Sequence, residues 1–419
     1  MEQKLWNKDV RESEKKERVI LAGVCTGDEA ESIESMDELE ALARTAGGSV
    51  AGRILQLRSD PHPVTYLGTG KVEELMLLAE EEKADAVICD DELSPVQMRN
   101  LQSMLECPVL DRTLLILDIF AEHASTSEGK IQVELAQLTY RATHLSGMGK
   151  ILSRQGGGIG TRGPGEKKLE IDRRRIRERI SHLKKELEEV RRHRSLVRKS
   201  RAEGVMAEVA IVGYTNAGKS TLLNCLTQAG VYAQDQLFAT LDPVTRGYIL
   251  PGGTQVLLTD TVGFIRKLPH TLIEAFRSTL EEAKYADLIL HVVDASSPEM
   301  EKQMYVVYET LRELGAAGKK IITLFNKQDR CVGRTRLRDV NAERSICGSA
   351  ATGEGMEELA LQMEELLTEH LIRIERLYPY HLAGKEALIR KYGKILSLEY
   401  RSEGIALTAL VPPEIYGNV

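Results

Sequence analysis

Residues 207–226 read AEVAIVGYTNAGKSTLLNCL: an apolar run, a loop of the form GxxxxGK[ST], then a helix-forming segment. That order, strand then glycine-bounded loop then helix, predicts a P-loop. Gly213 and Gly218 let backbone N–H groups curl around phosphate oxygens, with Tyr214, Thr215, Asn216 and Ala217 forming the loop between them. Lys219 neutralises the β and γ phosphates and the Ser220 hydroxyl ligates Mg²⁺. The helix running on through Thr221 adds its positive end. This stretch alone implies a phosphate-binding α/β domain with a mainly parallel sheet.

Downstream, QVLLTD (255–260) is an apolar strand that delivers Asp260 to the Mg²⁺ side of such a site. Thr261 and Val262 follow, and Gly263 is placed to lend its backbone N–H to a γ-phosphate. Two further apolar strands are LILHVVDASS (288–297) and KKIITLFNKQDR (319–330), the second ending in Asn326, Lys327, Gln328 and Asp329. A carboxylate at Asp329 accepts from the N1 and N2 donors of guanine, which adenine lacks, while Lys327 lies along the base. NKQD therefore selects GTP over ATP and disfavours an ATP-driven enzyme. Ser349, Ala350 and Ala351 have the place of the loop whose backbone meets the guanine oxygen. Between P-loop and Asp260 lies LFATLDPVTR (237–246), in which Phe238, Ala239, Thr240, Leu241 and Asp242 form the candidate switch. Thr240 is the threonine expected to complete Mg²⁺ coordination when a γ-phosphate is present. Lys219, Thr240 and Gly263 are thus the candidate catalytic groups, and the predicted activity is hydrolysis of GTP to GDP and phosphate. Phe264 stands where many GTPases place the glutamine that orients water. A phenyl ring cannot do this, so slow intrinsic turnover is expected. A rival reading is a GTP-gated RNA-binding module in which hydrolysis is incidental.

The 419 residues have room for two or three domains. Apolar residues make up 42% and charged residues 28%, which excludes a disordered or fibrous chain. The start is charged, and the sequence has no apolar run of the roughly 18 residues a membrane span needs. Cysteines at 25, 89, 107, 225, 331 and 347 form no CxxC pair, which fits a reducing cytoplasm and argues against structural zinc. A net charge of −7 conceals a local patch of opposite sign, KKLEIDRRRIRERISHLKKELEEVRRHRSLVRKSR at 167–201.

Five segments are expected: a polar leader at 1–17, a small α/β domain at 18–111, a helical hairpin at 112–204, the nucleotide domain at 205–370, and a small α+β domain at 371–419. In the second, short apolar runs alternate with helical patterns. Asp85, Asp90 and Asp91 there read as solvated strand-end carboxylates rather than an acid site. In the third, Ile131, Leu135, Leu138, Ala142 and Leu145 recur at helical spacing, as do Ile176, Ile180, Leu183, Leu187 and Val190. Each stripe has only the other to pair with, so an antiparallel hairpin is expected. Its tip, 146–166, clusters glycines around Lys150, Arg154 and Arg162, a low-bulk basic loop suited to an RNA cleft. The tail, with GKILSLEYRSEGIALTALVPP, reads as two strands around a Ser-Glu-Gly turn.

GYTNAGKS, FATLDPVTR, DTVGFIRKLPH and NKQD, preceded by GGGIGTRGPGEKKLEIDRRRI, resemble the HflX family of ribosome-associated GTPases over residues 18–370. The resemblance implies Ser220 and Thr240 as Mg²⁺ ligands with Asp260 on the metal side through water. Asn216 resembles the P-loop asparagine found in potassium-stimulated GTPases, which implies K⁺ as a second activator. The partners the family resemblance implies are GTP and GDP, the large (50S) ribosomal subunit and its rRNA, with splitting or rescue of stalled ribosomes as the task. A cytoplasmic monomer, with peripheral membrane association allowed, is the matching expectation. Lys167 and Lys168 depart from the Thr and Gln that family members often carry there.

Overall fold

The computed structural model describes residues 16–155, 164–202, 206–227, 237–238, 241–267, 269, 282–331, 333 and 337–419. The chain forms two compact units, Met1–Glu122 with Val133–His182 and Pro269–Thr271, and His123–Gln132 with Leu183–Leu268 and Leu272–Val419.

In the first unit β1 (Arg18–Cys25), α1 (Glu29–Thr45), β2 (Ser49–Leu57), α2 (Thr69–Glu81), β3 (Ala86–Cys89), α3 (Pro95–Leu105) and β4 (Val109–Asp111) alternate as expected. The sheet order is β2-β1-β3-β4 with every pair parallel. Ile20, Ala22, Leu75, Val87, Cys89 and Leu101 meet in its core. The SPVQ stretch starts α3 by a capping box, in which the Ser94 side chain accepts from Gln97 N and the Gln97 side chain from Ser94 N, with Pro95 in the first turn.

Two expectations are corrected here. Asp90 is not a solvated loop residue: it is 4% exposed, its carboxylate 2.6 Å from Arg112 Nη2, and Ser35 Oγ donates to it at 2.7 Å. Arg112 also pairs with Glu38 at 2.8 Å. Asp91 accepts from Tyr66 Oη at 2.6 Å and Asp85 from Arg18 N at 2.7 Å. These carboxylates anchor the ends of β1 and β3, and removing one partner of such a buried pair costs about 3–5 kcal/mol. Secondly, the hairpin does not begin at 112. Arg112–His123 is a separate helix, α4, apolar on most sides and buried through Leu115, Ile116, Leu117, Ile119 and Phe120.

The long helices are α5 (Ser127–Gln155) and α6 (Pro164–Ala202). Leu135, Leu183 and Leu187 of the two stripes are buried. Arg179 forks onto Glu134 at 2.7 and 2.8 Å, an exposed pair contributing about 0.2–1 kcal/mol. Helix α5 has a second buried face that the stripe hid. Tyr140 Oη donates to Asp111 at 2.9 Å, His144 Nε2 lies 3.1 Å from Leu93 O, and the two rings stack at 4.0 Å. The connection is also shorter than 146–166: isolated glycines at 147 and 149 cost about 1 kcal/mol each but do not end a helix, and Pro164 suits a first turn. Residues 156–163, including Arg162, lie outside the described residues, as do the side chains of Lys150 and Arg154.

The second unit carries a six-stranded sheet, order β10-β9-β8-β5-β7-β6. Its strands are β5 (Ala207–Gly213), β6 (Val244–Ile249), β7 (Gln255–Asp260), β8 (Leu288–Asp294), β9 (Lys320–Asn326) and β10 (Arg344–Cys347), and only β6 runs antiparallel to its neighbour. Among the described residues, helices α7 (Lys219–Thr227), α8 (Met300–Glu313) and α9 (Met356–Thr368) accompany the sheet. Val209, Ile211, Leu258, Leu290 and Leu324 pack with Leu222, Leu359 and Met363 in one core.

The tail holds three strands rather than the two expected. β11 (Ile372–Tyr378) and β12 (Lys394–Arg401) flank β13 (Gly404–Val411), all antiparallel, with α10 (Ala383–Tyr392) contributing Ile389 to their core. Glu364 on α9 accepts from Gly252 N at 2.5 Å, Thr254 Oγ1 at 2.6 Å and Lys394 Nζ at 2.7 Å, so this sheet is tied to the nucleotide domain.

Candidate functional site

Four strand ends converge at the carboxyl edge of the parallel sheet, where open α/β folds hold their ligands. β5 hands the chain to Gly213, and β8 lies so close that a Cβ on Gly213 would overlap Val292 O. Gly218 takes φ +96 and faces the Asn326 side chain with no space for a Cβ. The loop between them ends on α7, whose first residue, Lys219, is 7% exposed and donates from Nζ to Tyr214 O at 2.8 Å. Burial lowers its pKa to about 8, against Asp260, which raises it, and with Lys327 lowering it further. Ser220 Oγ donates to Asp260 Oδ2 at 2.7 Å, so the hydroxyl and the carboxylate expected on the metal side are adjacent.

Residues 261–264 lie along the P-loop. Thr261 Oγ1 donates to Ile211 O at 2.8 Å, Phe264 N to Gly213 O at 3.1 Å, and Thr215 N to Phe264 O at 2.7 Å. A Cβ on Gly263 would sit 2.9 Å from Lys219 Nζ, which places its backbone beside the lysine's ammonium. Phe264 has its ring buried, 1% exposed, and serves through its backbone; Arg266 N donates to Tyr214 Oη at 2.9 Å just beyond it.

Asn326 joins the end of β9 to its neighbours. Its Nδ2 donates to Ala217 O at 2.9 Å and its Oδ1 accepts from Ala350 N at 2.8 Å, linking the P-loop to the 349–351 turn. Lys327 adopts φ 61, Gln328 N donates to Gly348 O at 3.2 Å, and exposed Asp329 accepts from Ser349 Oγ at 2.6 Å. One carboxylate oxygen is thus oriented by the turn that the sequence placed opposite it. This constellation sets a glycine-bounded loop and a buried lysine beside an exposed carboxylate held by the 349–351 turn.

Residues 33–121 match the family described as GTP-binding GTPase N-terminal, 123–201 the GTP-binding GTPase middle region, and 208–327 the family described as 50S ribosome-binding GTPase. The chain is 59% identical over 403 residues to a GTPase HflX of Lacrimispora saccharolytica, covering 96% of this chain and 95% of that one. The chain belongs to the HflX family of GTPases. A GTPase HflX of Escherichia coli is 43% identical over 349 residues, 82% of each chain. A GTP-binding protein of Sulfolobus solfataricus in complex with GDP is 26% identical, covering 84% of this chain and 99% of that one with a TM-score of 0.45.

Within this HflX-family site the structure brings together 213–221, 260–263, 326–329 and 349–351. Phe238 and Leu241 are each 2% exposed, while Ala239 and Thr240 lie outside the described residues. Asp242 has another partner: its carboxylate is taken up by Ser125 and Thr126. Asp294 was not foreseen. It ends β8 beside Asn326 and its Oδ2 lies 2.7 Å from Lys327 Nζ, so it pairs with that lysine. The only sequence signal for it was an Asp closing an apolar strand.

A pH dependence follows from Lys219. Nucleotide phosphates favour the ammonium, so its pKa rises above about 8 on binding and the complex takes up a proton. Affinity therefore falls as pH climbs through 8. Between pH 7 and 8.5 GDP should bind ~4-fold more weakly, below the range where the guanine ring itself ionises. Calorimetry in buffers of different ionisation enthalpy should register the proton uptake; an affinity flat across this range, without uptake, would contradict the assignment.

Proposed function

We propose that this HflX-family GTPase is a slow intrinsic enzyme that associates with the large ribosomal subunit, is stimulated by it, and splits or rescues stalled ribosomes. The observation that carries the ribosome reading is the match of 208–327 to a family described as 50S ribosome-binding GTPase. The basic run on α6 supports it, because Lys and Arg side chains, exposed at Arg174, Arg175, Arg177, Lys184 and Lys185, are suited to meet rRNA phosphates with release of counterions. Slow intrinsic turnover fits a buried Phe264 ring where a water-orienting side chain is otherwise expected.

Mg²⁺ is proposed as the nucleotide's companion ion. The donor set fits it: a hydroxyl and a buried carboxylate 2.7 Å apart beside the cradle, oxygen groups only, suit an ion that keeps several of its waters. Ser220 would ligate it directly and Asp260 through water, while Thr240 joins when a γ-phosphate is present. The ion supplies charge neutralisation between the β and γ phosphates. Lys219 binds those oxygens, Gly263 N–H holds the γ-phosphate, and Asp329 selects the base. Asn216, exposed and at φ 59, is the proposed contact for activating K⁺. Among the described residues no helix is long and apolar enough to cross a membrane, and a cytoplasmic monomer is the proposed working form.

Cosedimentation with separated 30S and 50S subunits, with GDP or a non-hydrolysable GTP analogue, tests this. Binding to 50S with the analogue is expected. Deleting residues 150–166 should remove ribosome-stimulated hydrolysis while intrinsic GTP binding stays within ~2-fold, and Arg154→Ala with Arg162→Ala should flatten the log-log salt slope by roughly 1 to 2. Binding and splitting by the deleted protein equal to that of the intact chain would reduce the tip to a linker. Subunits that bind but do not stimulate would favour the GTP-gated binding module.

A further inference from the structure

Asp242 lies two residues after Thr240 and directly before Pro243, which leads into β6. It belongs to the same compact unit as the segment His123–Gln132. Asp242 is 9% exposed, and its carboxylate accepts four hydrogen bonds from two consecutive residues. Ser125 N, Ser125 Oγ and Thr126 N donate to Oδ2 at 2.9, 2.8 and 2.8 Å, and Thr126 Oγ1 donates to Oδ1 at 2.5 Å. Four donors on one carboxylate outweigh the burial that would raise its pKa and leave it lowered. Thr126 Oγ1 also accepts from Gly129 N at 2.9 Å, in the first turn of α5. A Cβ on Gly129 would overlap Asp242 Oδ1, so only glycine admits the carboxylate there. Leu241 is buried, and proline at 243 fixes its own φ, so the chain on both sides of Asp242 is restrained as well.

We propose that Ser125 and Thr126 are positioning residues for GTP hydrolysis: through Asp242 they fix the segment that carries Thr240 into the reaction. The inference rests on the reading of Thr240 as the group that meets Mg²⁺ and γ-phosphate. GDP leaves that threonine without a γ-phosphate to hold, so the clamp bears on the GTP state. By linkage, whatever the clamp contributes to the GTP state the GTP state returns to the clamp, and the first turn of α5 then reports which nucleotide is bound. The helix that begins at Ser127 extends to Gln155, so the clamp sits at the start of α5.

Single-turnover hydrolysis, affinities for GDP and a GTP analogue, and hydrogen exchange at 124–132 test the proposal on the full chain. Asp242→Asn removes the charge the four donors share and turns an amide N–H toward the Thr126 hydroxyl, and should slow the single turnover ~10-fold while GDP affinity stays within ~2-fold. Ser125→Ala should give a smaller slowing of the same kind. Thr126→Val should slow the reaction as well, and Thr126→Ser, which keeps the hydroxyl, should restore it. The amides of Ser125 and Thr126 should exchange more slowly with the GTP analogue than with GDP. A merely structural contact would lower melting temperature and shift both affinities alike, with rate and exchange unaltered, and that result would overturn the proposal. Thr240→Ala serves as the separate arm. If it slows hydrolysis and Asp242→Asn does not, the clamp fails and the Thr240 reading stands. If Thr240→Ala hydrolyses normally, the Thr240 reading falls, and the clamp with it as a device of the reaction.

Discussion

Lys219→Ala should weaken GTP binding by ~100-fold or more and GDP binding by ~10-fold or more, because each net hydrogen bond to a charged group is worth about 1.5–3 kcal/mol and this cation is expected on the β and γ phosphates, of which GDP keeps only the β. The same change should leave the nucleotide-free protein as stable as before. Lys219 is buried and its pKa is lowered to about 8 by that burial, so the unliganded fold gains little from keeping it. What the alanine removes from the empty protein is one bond, Nζ to Tyr214 O. Equilibrium titration with a fluorescent guanine nucleotide, alongside a melt without nucleotide, separates the two effects. Ser220→Ala should spare GDP binding more and cut turnover at limiting Mg²⁺, since it deletes the hydroxyl that Asp260 holds at 2.7 Å. Wild-type hydrolysis by either variant would overturn the P-loop assignment.

Those two residues were legible because the chemistry of a phosphate cradle admits few residue types at few spacings, and the pattern falls where a strand gives way to a helix. The nucleotide domain's sheet was legible for a related reason. Fully buried parallel strands such as LILHVVD and KIITLFN are continuous apolar runs, and each ends at the ligand edge. Contacts made across long stretches of sequence were not legible. Asp242 sits inside a candidate nucleotide segment, and nothing local indicates that residues more than a hundred positions earlier claim its carboxylate. Asp90 and Arg112 likewise look like ordinary surface charges until the fold buries them together. The stripe on α5 showed one seam, whereas Tyr140 and His144 on the neighbouring face pack on the α/β domain, because a helix buried on two sides has no single period to read. The third strand of the tail, IRIERLY, interrupts its apolar residues with exposed Arg373, Glu375 and Arg376 and so lacks an unbroken apolar run.

Asp329→Asn should reverse the preference between guanine and xanthine nucleotides while leaving the phosphate cradle untouched. Guanine offers two donors, N1–H and the 2-amino group, to the carboxylate, and an amide can answer only one of them, turning its own N–H toward the other. Loss of one charged hydrogen bond together with a donor facing a donor should weaken GDP and GTP binding by ~100-fold or more. Xanthine keeps N1–H but carries an oxygen at position 2, so asparagine matches it with Oδ1 accepting and Nδ2 donating. The geometry favours a clean exchange because Ser349 Oγ fixes the Asp329 carboxylate from behind at 2.6 Å, and asparagine Oδ1 can accept that same bond. Ser349→Ala is the matched control: it frees the carboxylate to rotate, and should cost guanine nucleotides only a few-fold without improving xanthine. The measurement is competition of GDP and XDP against one fluorescent nucleotide for the wild type and both variants. The bound xanthine nucleotide should still be hydrolysed, since Lys219, Ser220 and Gly263 act on phosphates that either base delivers to the same place. An Asp329→Asn protein that still prefers guanine would remove this residue from base recognition and leave the Asn326-linked turn at 349–351 as the element that reads the ring.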